Sequence, residues 1–212
     1  MASTYISFNH ISFAYSEEGP AIINDFSFEL SYGDRMVIEG DSGMGKTTLF
    51  RLLLGFEQPD EGQIFYKNQP LDSKTIHQFR KETAWLPQDL NLGTGPVEGI
   101  IQFLFDFETN KATRPGKAKI TDTFKKLGLQ PALLEKNMAE LSTGQRQRVG
   151  IAICHLLEKP LILLDEPTSA LDQTSKKKVS KLIFDHPERT VLSVSHDPWW
   201  IDQCDSVIEL NH

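Results

Sequence analysis

Short apolar stretches separated by turn residues dominate the first part of the chain and predict β-strands. Apolar and polar positions alternate in several of these stretches, which is typical of strands because successive side chains point to opposite faces. The strand that ends at Pro87 is followed by a loop. The predicted strands span residues 4–8, 11–15, 22–30, 36–38, 63–66 and 83–86.

The pattern changes at about residue 97, where apolar positions take helical spacing. Helices are predicted at residues 97–105 and 118–127, with a polar linker at 108–116. We therefore expect a helical insertion over about residues 91–141. Its aromatic side chains are expected in the helix core, and the alternative is a groove that docks another protein. These side chains are Phe103, Phe105 and Phe107.

The last part of the chain returns to alternating helix and strand. A helix is predicted at residues 146–157, and strands at 191–195 and 206–210. Between them, the continuous apolar run at 161–164 predicts a central parallel strand, since such a strand is covered on both faces.

Composition narrows the class of protein. The chain has 212 residues, of which 39% are apolar, and a net charge of −7. We expect no nucleic-acid partner, because the chain has no overall cationic field. Neither a signal peptide nor an apolar run of the ~20 residues needed to span a bilayer is visible.

Several features are interpreted as structural. Cys154 and Cys204 are expected to be reduced, buried side chains, and one of Trp199 and Trp200 to pack in the core. The lysines at 176–178 are expected on the solvated face of a helix. The histidines without metal-ligand spacing are His10, His77, His155 and His186.

A glycine-rich loop between a predicted strand and a predicted helix is the strongest chemical signal. Its glycines let successive backbone N–H groups point into one concavity, and the helix N-terminus adds partial positive charge. Lys46 is expected to contact phosphate and Thr47 to contact Mg²⁺. The alternative is an ordinary glycine-rich turn. The predicted ATP-binding residues of this segment are Gly40, Asp41, Ser42, Gly43, Met44, Gly45, Lys46, Thr47 and Thr48.

Two carboxylates, Asp165 and Glu166, follow the predicted central strand. The carboxyl ends of parallel strands are where ligands of open α/β sheets bind. We expect Asp165 to hold Mg²⁺ and Glu166 to orient or deprotonate a water molecule. The alternative is a solvated strand end. Tyr15 lies at another strand end, where a tyrosine most often covers a core edge, and the alternative is that its ring stacks on adenine.

Residues 141–145, Leu-Ser-Thr-Gly-Gln, precede the predicted helix at 146–157, and here the chain resembles the nucleotide-binding domain of ABC transporters. The family signature is Leu-Ser-Gly-Gly-Gln, and Thr143 replaces its first glycine. The phosphate loop, the carboxylate pair and the other family elements follow in the family's order. Those other elements are Tyr15, Gln88, Ser169, Ala170, Leu171, Asp172 and His196.

The resemblance implies a fold and a domain organisation. The fold class is α/β: a P-loop NTPase core with a mainly parallel central sheet, an N-terminal antiparallel β subdomain and an inserted α-helical subdomain. The whole of residues 1–212 is then one ATP-binding domain. Residues 1–90 and 142–212 form its catalytic core, and about 91–141 form its helical subdomain.

The resemblance also implies site roles. Catalysis is assigned to Glu166, His196, Gln88 and Lys46, and Mg²⁺ binding to Thr47, Gln88 and Asp165. The signature residues are expected to bind ATP held by the other subunit of a head-to-tail homodimer. They are Ser142, Thr143, Gly144 and Gln145. The segment Ser169, Ala170, Leu171 and Asp172 is expected to cross the dimer interface.

The activity implied is ATP hydrolysis, with ATP and Mg²⁺ as cofactors, coupled to transport through a separate integral-membrane permease. The chain is then cytoplasmic and peripheral on the inner face of the membrane. A soluble ABC-type ATPase acting on a ribosome, nucleic acid or protein complex is the alternative. A regulatory nucleotide-binding module is disfavoured because Glu166 and His196 are both present.

Overall fold

The computed structural model describes residues 4–16, 19–41 and 43–210, which form two sheets and seven helices. The strands are β1 Thr4–Phe13, β2 Ile23–Ser31, β3 Arg35–Glu39, β4 Glu61–Tyr66, β5 Gln69–Pro70, β6 Thr83–Leu86, β7 Leu161–Asp165, β8 Thr190–Val194 and β9 Ser206–Glu209. The helices are α1 Lys46–Leu53, α2 Ile76–Lys81, α3 Val97–Asp106, α4 Lys117–Lys126, α5 Thr143–Leu156, α6 Gln173–Phe184 and α7 Pro198–Ile201.

The antiparallel sheet has the strand order β2-β1-β4-β5. The prediction of two separate strands at 4–8 and 11–15 is wrong, since β1 runs unbroken through Thr4–Phe13. Its pairing with β2 shifts register between Phe8 and Ile11, and His10 between them has φ +53°. A bulge of this kind interrupts the alternation without ending the strand, which explains why the sequence pattern looked broken.

The second sheet is parallel, with the order β6-β7-β8-β3-β9, and all five residues of β7 are buried. Leu161 and Leu163 pack into the core shared with the antiparallel sheet and α1. Ile162 and Leu164 pack into the opposite core, shared with α3 to α6. Because strand side chains alternate between faces, this single strand joins the two cores. The predicted fold class is confirmed.

Helices and 3₁₀ turns occupy residues 97–140, as predicted for the insertion. The 3₁₀ turns are Lys111–Thr113, Pro131–Glu135 and Met138–Glu140. The prediction that its three phenylalanines lie in the core holds only for Phe105, which is 1% exposed. Phe103 and Phe107 are 61% and 50% exposed, and their rings meet edge to face at 5.1 Å. Residues four positions apart share a helix face and the residue midway between them points to the opposite face, so Phe103 and Phe107 lie together on the exposed side while Phe105 faces the core.

Three smaller predictions are settled by packing. Trp200 is fully buried, and its indole N–H donates to Ser193 Oγ at 2.9 Å. Cys154 is a free, buried thiol, and burial raises its pKa to about 12. The lysine run is not uniformly solvated, because Lys176 is partly buried in an ion pair with Asp197 at 2.6 Å.

Candidate active site

The glycine-rich loop connects β3 to α1 at the carboxyl edge of the parallel sheet. Gly45, the residue before α1, has φ +86°, and a Cβ there would lie 2.6 Å from Ile22 Cγ2. Both the backbone conformation and the space therefore require glycine. The loop residues Gly43 and Gly45 to Thr48 line one cavity, whereas Ser42 lies outside the described residues.

Lys46 is held inside this loop. Its side chain is 8% exposed, and its ammonium donates to the carbonyls of Gly40 at 2.5 Å and Asp41 at 2.9 Å. The Asp41 N–H points at Met44 Sδ, 3.0 Å away. The carbonyl groups are neutral acceptors, and charged phosphate oxygens bind an ammonium more strongly. Lys46 can therefore exchange its carbonyl partners for phosphate oxygens.

Asp165, the last residue of β7, faces the loop. Its Oδ2 accepts a 2.8 Å hydrogen bond from Thr47 Oγ1. Burial raises the pKa of this carboxyl to about 6, and the nearby Glu166 carboxylate acts in the same direction. The Thr47 hydrogen bond and the Lys46 charge oppose the rise.

The raised pKa of Asp165 makes a prediction about stability. Neutral Asp165 stabilises the fold fully below its unfolded pKa of 3.8, and this contribution is lost as pH rises through about 6. Asp165→Asn keeps the side chain neutral and of the same size. We expect it to raise the melting temperature of the nucleotide-free protein at about pH 7 by about 5 °C, with little gain near pH 4.

Thermal unfolding followed by circular dichroism at both pH values measures this effect. Asp89→Asn, which removes an exposed carboxylate, is the control. Equal melting temperatures for Asp165→Asn and the unchanged protein at about pH 7 would contradict the assigned burial cost.

Glu166 is the second carboxylate, and it is held tightly. Its φ is +48°, a strained value for a residue with a side chain. His196 Nδ1 lies 2.7 Å from Glu166 Oε1, and Ser195 Oγ donates to Oε2 at 3.3 Å. Gln147 donates from Nε2 to the Glu166 carbonyl at 3.2 Å. These hydrogen bonds fix the direction of the Glu166 carboxylate. They also hold its backbone in a conformation that a residue with a side chain rarely adopts.

The cavity measures about 300 Å³, and all four predicted catalytic residues line it. Tyr15 stands at its rim, 59% exposed, with its hydroxyl 3.0 Å from Thr48 Oγ1. This leaves a ring face open for a flat ligand beside the loop. The lining residues are Tyr15, Ile22, Gly43, Gly45, Lys46, Thr47, Thr48, Gln88, Asp165, Glu166 and His196.

The oxygen atoms in this cavity fit Mg²⁺. A hydroxyl, a carboxylate and an amide come from Thr47, Asp165 and Gln88. Mg²⁺ takes oxygen ligands and is usually held by one or two carboxylates together with phosphate oxygens and water. Among the described residues, no group of three or more acidic, histidine or cysteine side chains is placed to hold a metal ion.

The signature residues lie elsewhere. None of residues 141–145 is among the described residues that line the cavity. Ser142 caps α5: its Oγ accepts from the Gln145 N–H at 3.3 Å, and Gln145 Oε1 accepts from the Ser142 N–H at 3.0 Å. The helix therefore begins at Thr143, three residues before the predicted start.

At Gly144 the signature packs closely against the segment 169–172. A Cβ at Gly144 would lie 2.9 Å from the Ala170 carbonyl oxygen, so only glycine permits this approach. Ser169 and Ala170 are exposed, and Asp172 caps α6 by accepting from the Ser175 N–H at 2.7 Å. The residues Ser142, Thr143, Ser169 and Ala170 are exposed, and none of them is among the described residues that line the cavity.

Sequence reasoning missed three residues of the site. Ser195 and Gln147 hold Glu166, and Ile22 packs against the loop glycine. Ser195 had a usable signal, because it directly precedes His196 at the end of β8. No sequence signal pointed to Gln147 or Ile22, because each contacts a residue that is distant in the sequence.

The sequence matches the family model described as ABC transporter over residues 23–169. The chain belongs to the ABC transporter family. Family membership makes this ABC chain an ATP-binding domain of the ATPase type, so the predicted family and enzyme class are confirmed.

Known proteins resemble this ABC chain over nearly all of its length. EcfA1 of Mycoplasma mycoides subsp. mycoides, an energy-coupling factor transporter ATP-binding protein, is 34% identical over 98% of this chain and 52% of its own length. The chain thus spans about half of that relative.

Solved structures agree. A bacterial Atm1-family ABC exporter with ATP bound has a TM-score of 0.85 and 26% identity, over 100% of this chain and 38% of that one. The Clostridium perfringens protein cbiO1, part of the ABC transporter complex cbiONQ, has a TM-score of 0.80 and 25% identity, over 99% and 85%. In the part of this chain that the structure describes, every helix is too short or too polar to cross a membrane.

Proposed function

We propose that the chain hydrolyses ATP as the energy-coupling subunit of an ABC transporter, acting as a head-to-tail dimer on a separate membrane permease. One observation carries this proposal. Lys46, Thr47, Asp165, Glu166 and His196 share a cavity, while the signature lies outside it on an exposed surface. A second copy would therefore supply the missing half of each ATP site.

Within the cavity, the residues divide the work of phosphoryl transfer to water. The Tyr15 ring supports adenine, and the Lys46 ammonium neutralises β- and γ-phosphate oxygens. The Glu166 carboxylate takes a proton from water as the water oxygen attacks the γ-phosphorus, and the bond to ADP breaks. His196 holds the carboxylate in position at 2.7 Å and contacts the γ-phosphate.

Mg²⁺, held by Thr47, Gln88 and Asp165, supplies charge neutralisation at the phosphates when bound. Asp165, whose pKa of about 6 lies close to neutral pH, would hold the ion as a carboxylate. Release of Thr47 Oγ1 from its hydrogen bond to Asp165 frees both oxygens as ligands.

The dimer proposal is supported by the capped N-terminus of α5. Gly144 presents its backbone N–H group at the positive end of a 14-residue helix, whereas the Ser142 N–H already donates to Gln145 Oε1. This end lies outside the ATP cavity of its own chain, so a phosphate bound there belongs to the facing subunit. Residues 169–172 pack against Gly144 and lie in the same interface.

The permease proposal is supported by exposed aromatic residues on the helical part of the chain and by the names of the relatives. Phe103 and Phe107 form an apolar pair with more than half of Phe103 exposed, which is typical of a docking surface. EcfA1 and cbiO1 are both described as parts of transporters. A permease contact would place this chain at the cytoplasmic face of the membrane.

Affinity capture tests the transporter proposal. Tagged Glu166→Gln protein is incubated with ATP and gently solubilised membranes, and bound chains are identified by mass spectrometry. We expect a membrane protein with several spans. Recovery of only ribosomes, nucleic acid or soluble proteins would contradict the proposal and favour a soluble ABC-type ATPase.

The same capture tests the docking surface. We expect Phe103→Ser to lower permease recovery by about tenfold, because it removes an apolar contact worth about 1.5–3 kcal/mol when buried. The ATPase rate of the isolated chain stays unchanged. Val207→Ser, at another exposed apolar position on β9, is the control and retains recovery. Equal recovery with both variants would exclude Phe103 from the interface.

A further inference from the structure

A second cavity, of about 450 Å³, lies between the ends of α4 and α5 and the side of α6. Its size suits a small molecule. It shares no residue with the described lining of the ATP cavity. The lining residues are Lys126, His155, Lys177, Lys178, Lys181, Leu182, Asp185 and His186.

The lining is strongly cationic, with four lysines against one carboxylate, Asp185. Lys126 is paired with Asp122 at 2.9 Å. The three α6 lysines that line the cavity form no ion pair with any described residue, unlike Lys176 of the same helix. Several positive charges along one cavity wall add up to a positive local potential. These lining lysines are Lys177, Lys178 and Lys181.

A buried arginine increases this positive charge. Arg189 is 7% exposed, and its Nη1 lies 3.4 Å from Nδ1 of His155, a lining residue of the cavity. No carboxylate of the described residues lies within 4.0 Å of its guanidinium. A buried guanidinium without a carboxylate partner is costly, because little solvent or counter-charge stabilises it.

The surroundings of the cavity lower the pKa values of its two histidines. Their rings are 5.1 Å apart. Burial, then Arg189, then the neighbouring imidazole lower the pKa of His155 to about 4, and burial and Arg189 also lower the pKa of His186. Both imidazoles are therefore neutral near pH 7 and can hydrogen-bond to a ligand without adding charge.

We propose that this lysine- and histidine-lined cavity is a second ligand site, which binds a small soluble molecule through a phosphate group. The lysines of α6 bind its oxygens, the imidazoles hydrogen-bond to it, and Arg189 supplies charge from behind His155. Leu182 and the lysine stems give an apolar wall for the rest of the molecule. A concave site suits such a ligand better than a membrane surface does.

Histidine NMR of the full chain, titrated with inorganic phosphate, tests the proposal. The ring resonances of His155 and His186 report on this cavity, and those of His196 report on the ATP cavity. We expect His155 and His186 to shift together along one saturating curve. Movement of His196 alone, or linear shifts without saturation, would overturn the proposal.

A double variant locates the binding. Lys177→Gln combined with Lys181→Gln removes two exposed charges and is expected to weaken phosphate binding by about tenfold. Its ATPase rate stays unchanged, because neither lysine lines the ATP cavity. The control is Lys136→Gln, which removes an exposed charge outside the cavity. If Lys136→Gln weakened phosphate binding as much as the double variant does, the result would contradict a specific binding site in the cavity.

A phosphate group can belong to a soluble molecule or to a lipid headgroup, and vesicle binding distinguishes the two. We expect co-sedimentation with phosphatidylglycerol vesicles to be the same for the double variant and the unchanged chain. If vesicle binding is lost in the double variant while phosphate fails to saturate, the surface binds a lipid headgroup and the small-molecule proposal is wrong.

Discussion

Glu166→Gln lowers steady-state ATP turnover by about 100-fold or more, the usual effect of losing a general base, while ATP still binds. The amide keeps the size of the carboxylate and still hydrogen-bonds to His196, so the strained backbone at φ +48° is retained. The amide does not accept the proton of the attacking water. Phosphate release measured at saturating ATP checks the rate.

Two further measurements make this result specific. Equilibrium binding of a fluorescent ATP analogue is expected to stay within about threefold, because the lost interaction acts mainly in the transition state. Size-exclusion chromatography with ATP is expected to show a dimer that persists, because hydrolysis no longer reopens it. Glu61→Gln, at an exposed position on β4, is the control. Unchanged turnover would remove Glu166 from the catalytic role.

Lys46→Ala weakens ATP binding by about 100-fold, because charge-assisted hydrogen bonds to phosphate contribute about 1.5–3 kcal/mol. Lys46 is 7% exposed and is the lysine of the ATP cavity, so no other described lining residue replaces its charge. Isothermal titration with ATP and Mg²⁺ measures the affinity.

The nucleotide-free fold is expected to survive this change. The carbonyls that Lys46 contacts, those of Gly40 and Asp41, belong to partly or fully exposed residues and can bond to water instead. Circular dichroism checks this. Lys81→Ala, in the last turn of α2 and outside the cavity, is the control. Retained ATP affinity in Lys46→Ala would contradict the assignment of the phosphate loop.

The chemistry that depends on neighbouring residues was readable from the sequence. A glycine-rich loop between strand and helix fixes the relative positions of Lys46 and Thr47, because all its atoms belong to one short segment. In the same way, the apolar run at residues 161–164, with Asp165 and Glu166 directly after it, indicated a buried strand whose end faces a ligand. The fold class followed from these segments and the family resemblance.

The contacts between distant segments were decided by the tertiary structure. β7 and β8 are adjacent strands, and this brings His196 and Ser195 to Glu166 across 30 and 29 residues of sequence. Gln147 reaches the strained Glu166 backbone from α5. Sequence spacing did not reveal these hydrogen bonds, since each depends on how a helix or strand is placed in the sheet.

Packing also decided which side chains are exposed. The exposure of Phe103 and Phe107 beside buried Phe105, and the bulge that keeps β1 continuous, both depend on what lies against each element. Lys177 and Lys178 are exposed, as predicted, and only the structure places them beside His155 and His186. The sequence by itself determined the phosphate chemistry, because covalent neighbours carry it. Only the tertiary structure decided how the Glu166 carboxylate is held and which residues line the second cavity, because long-range packing brings those residues together.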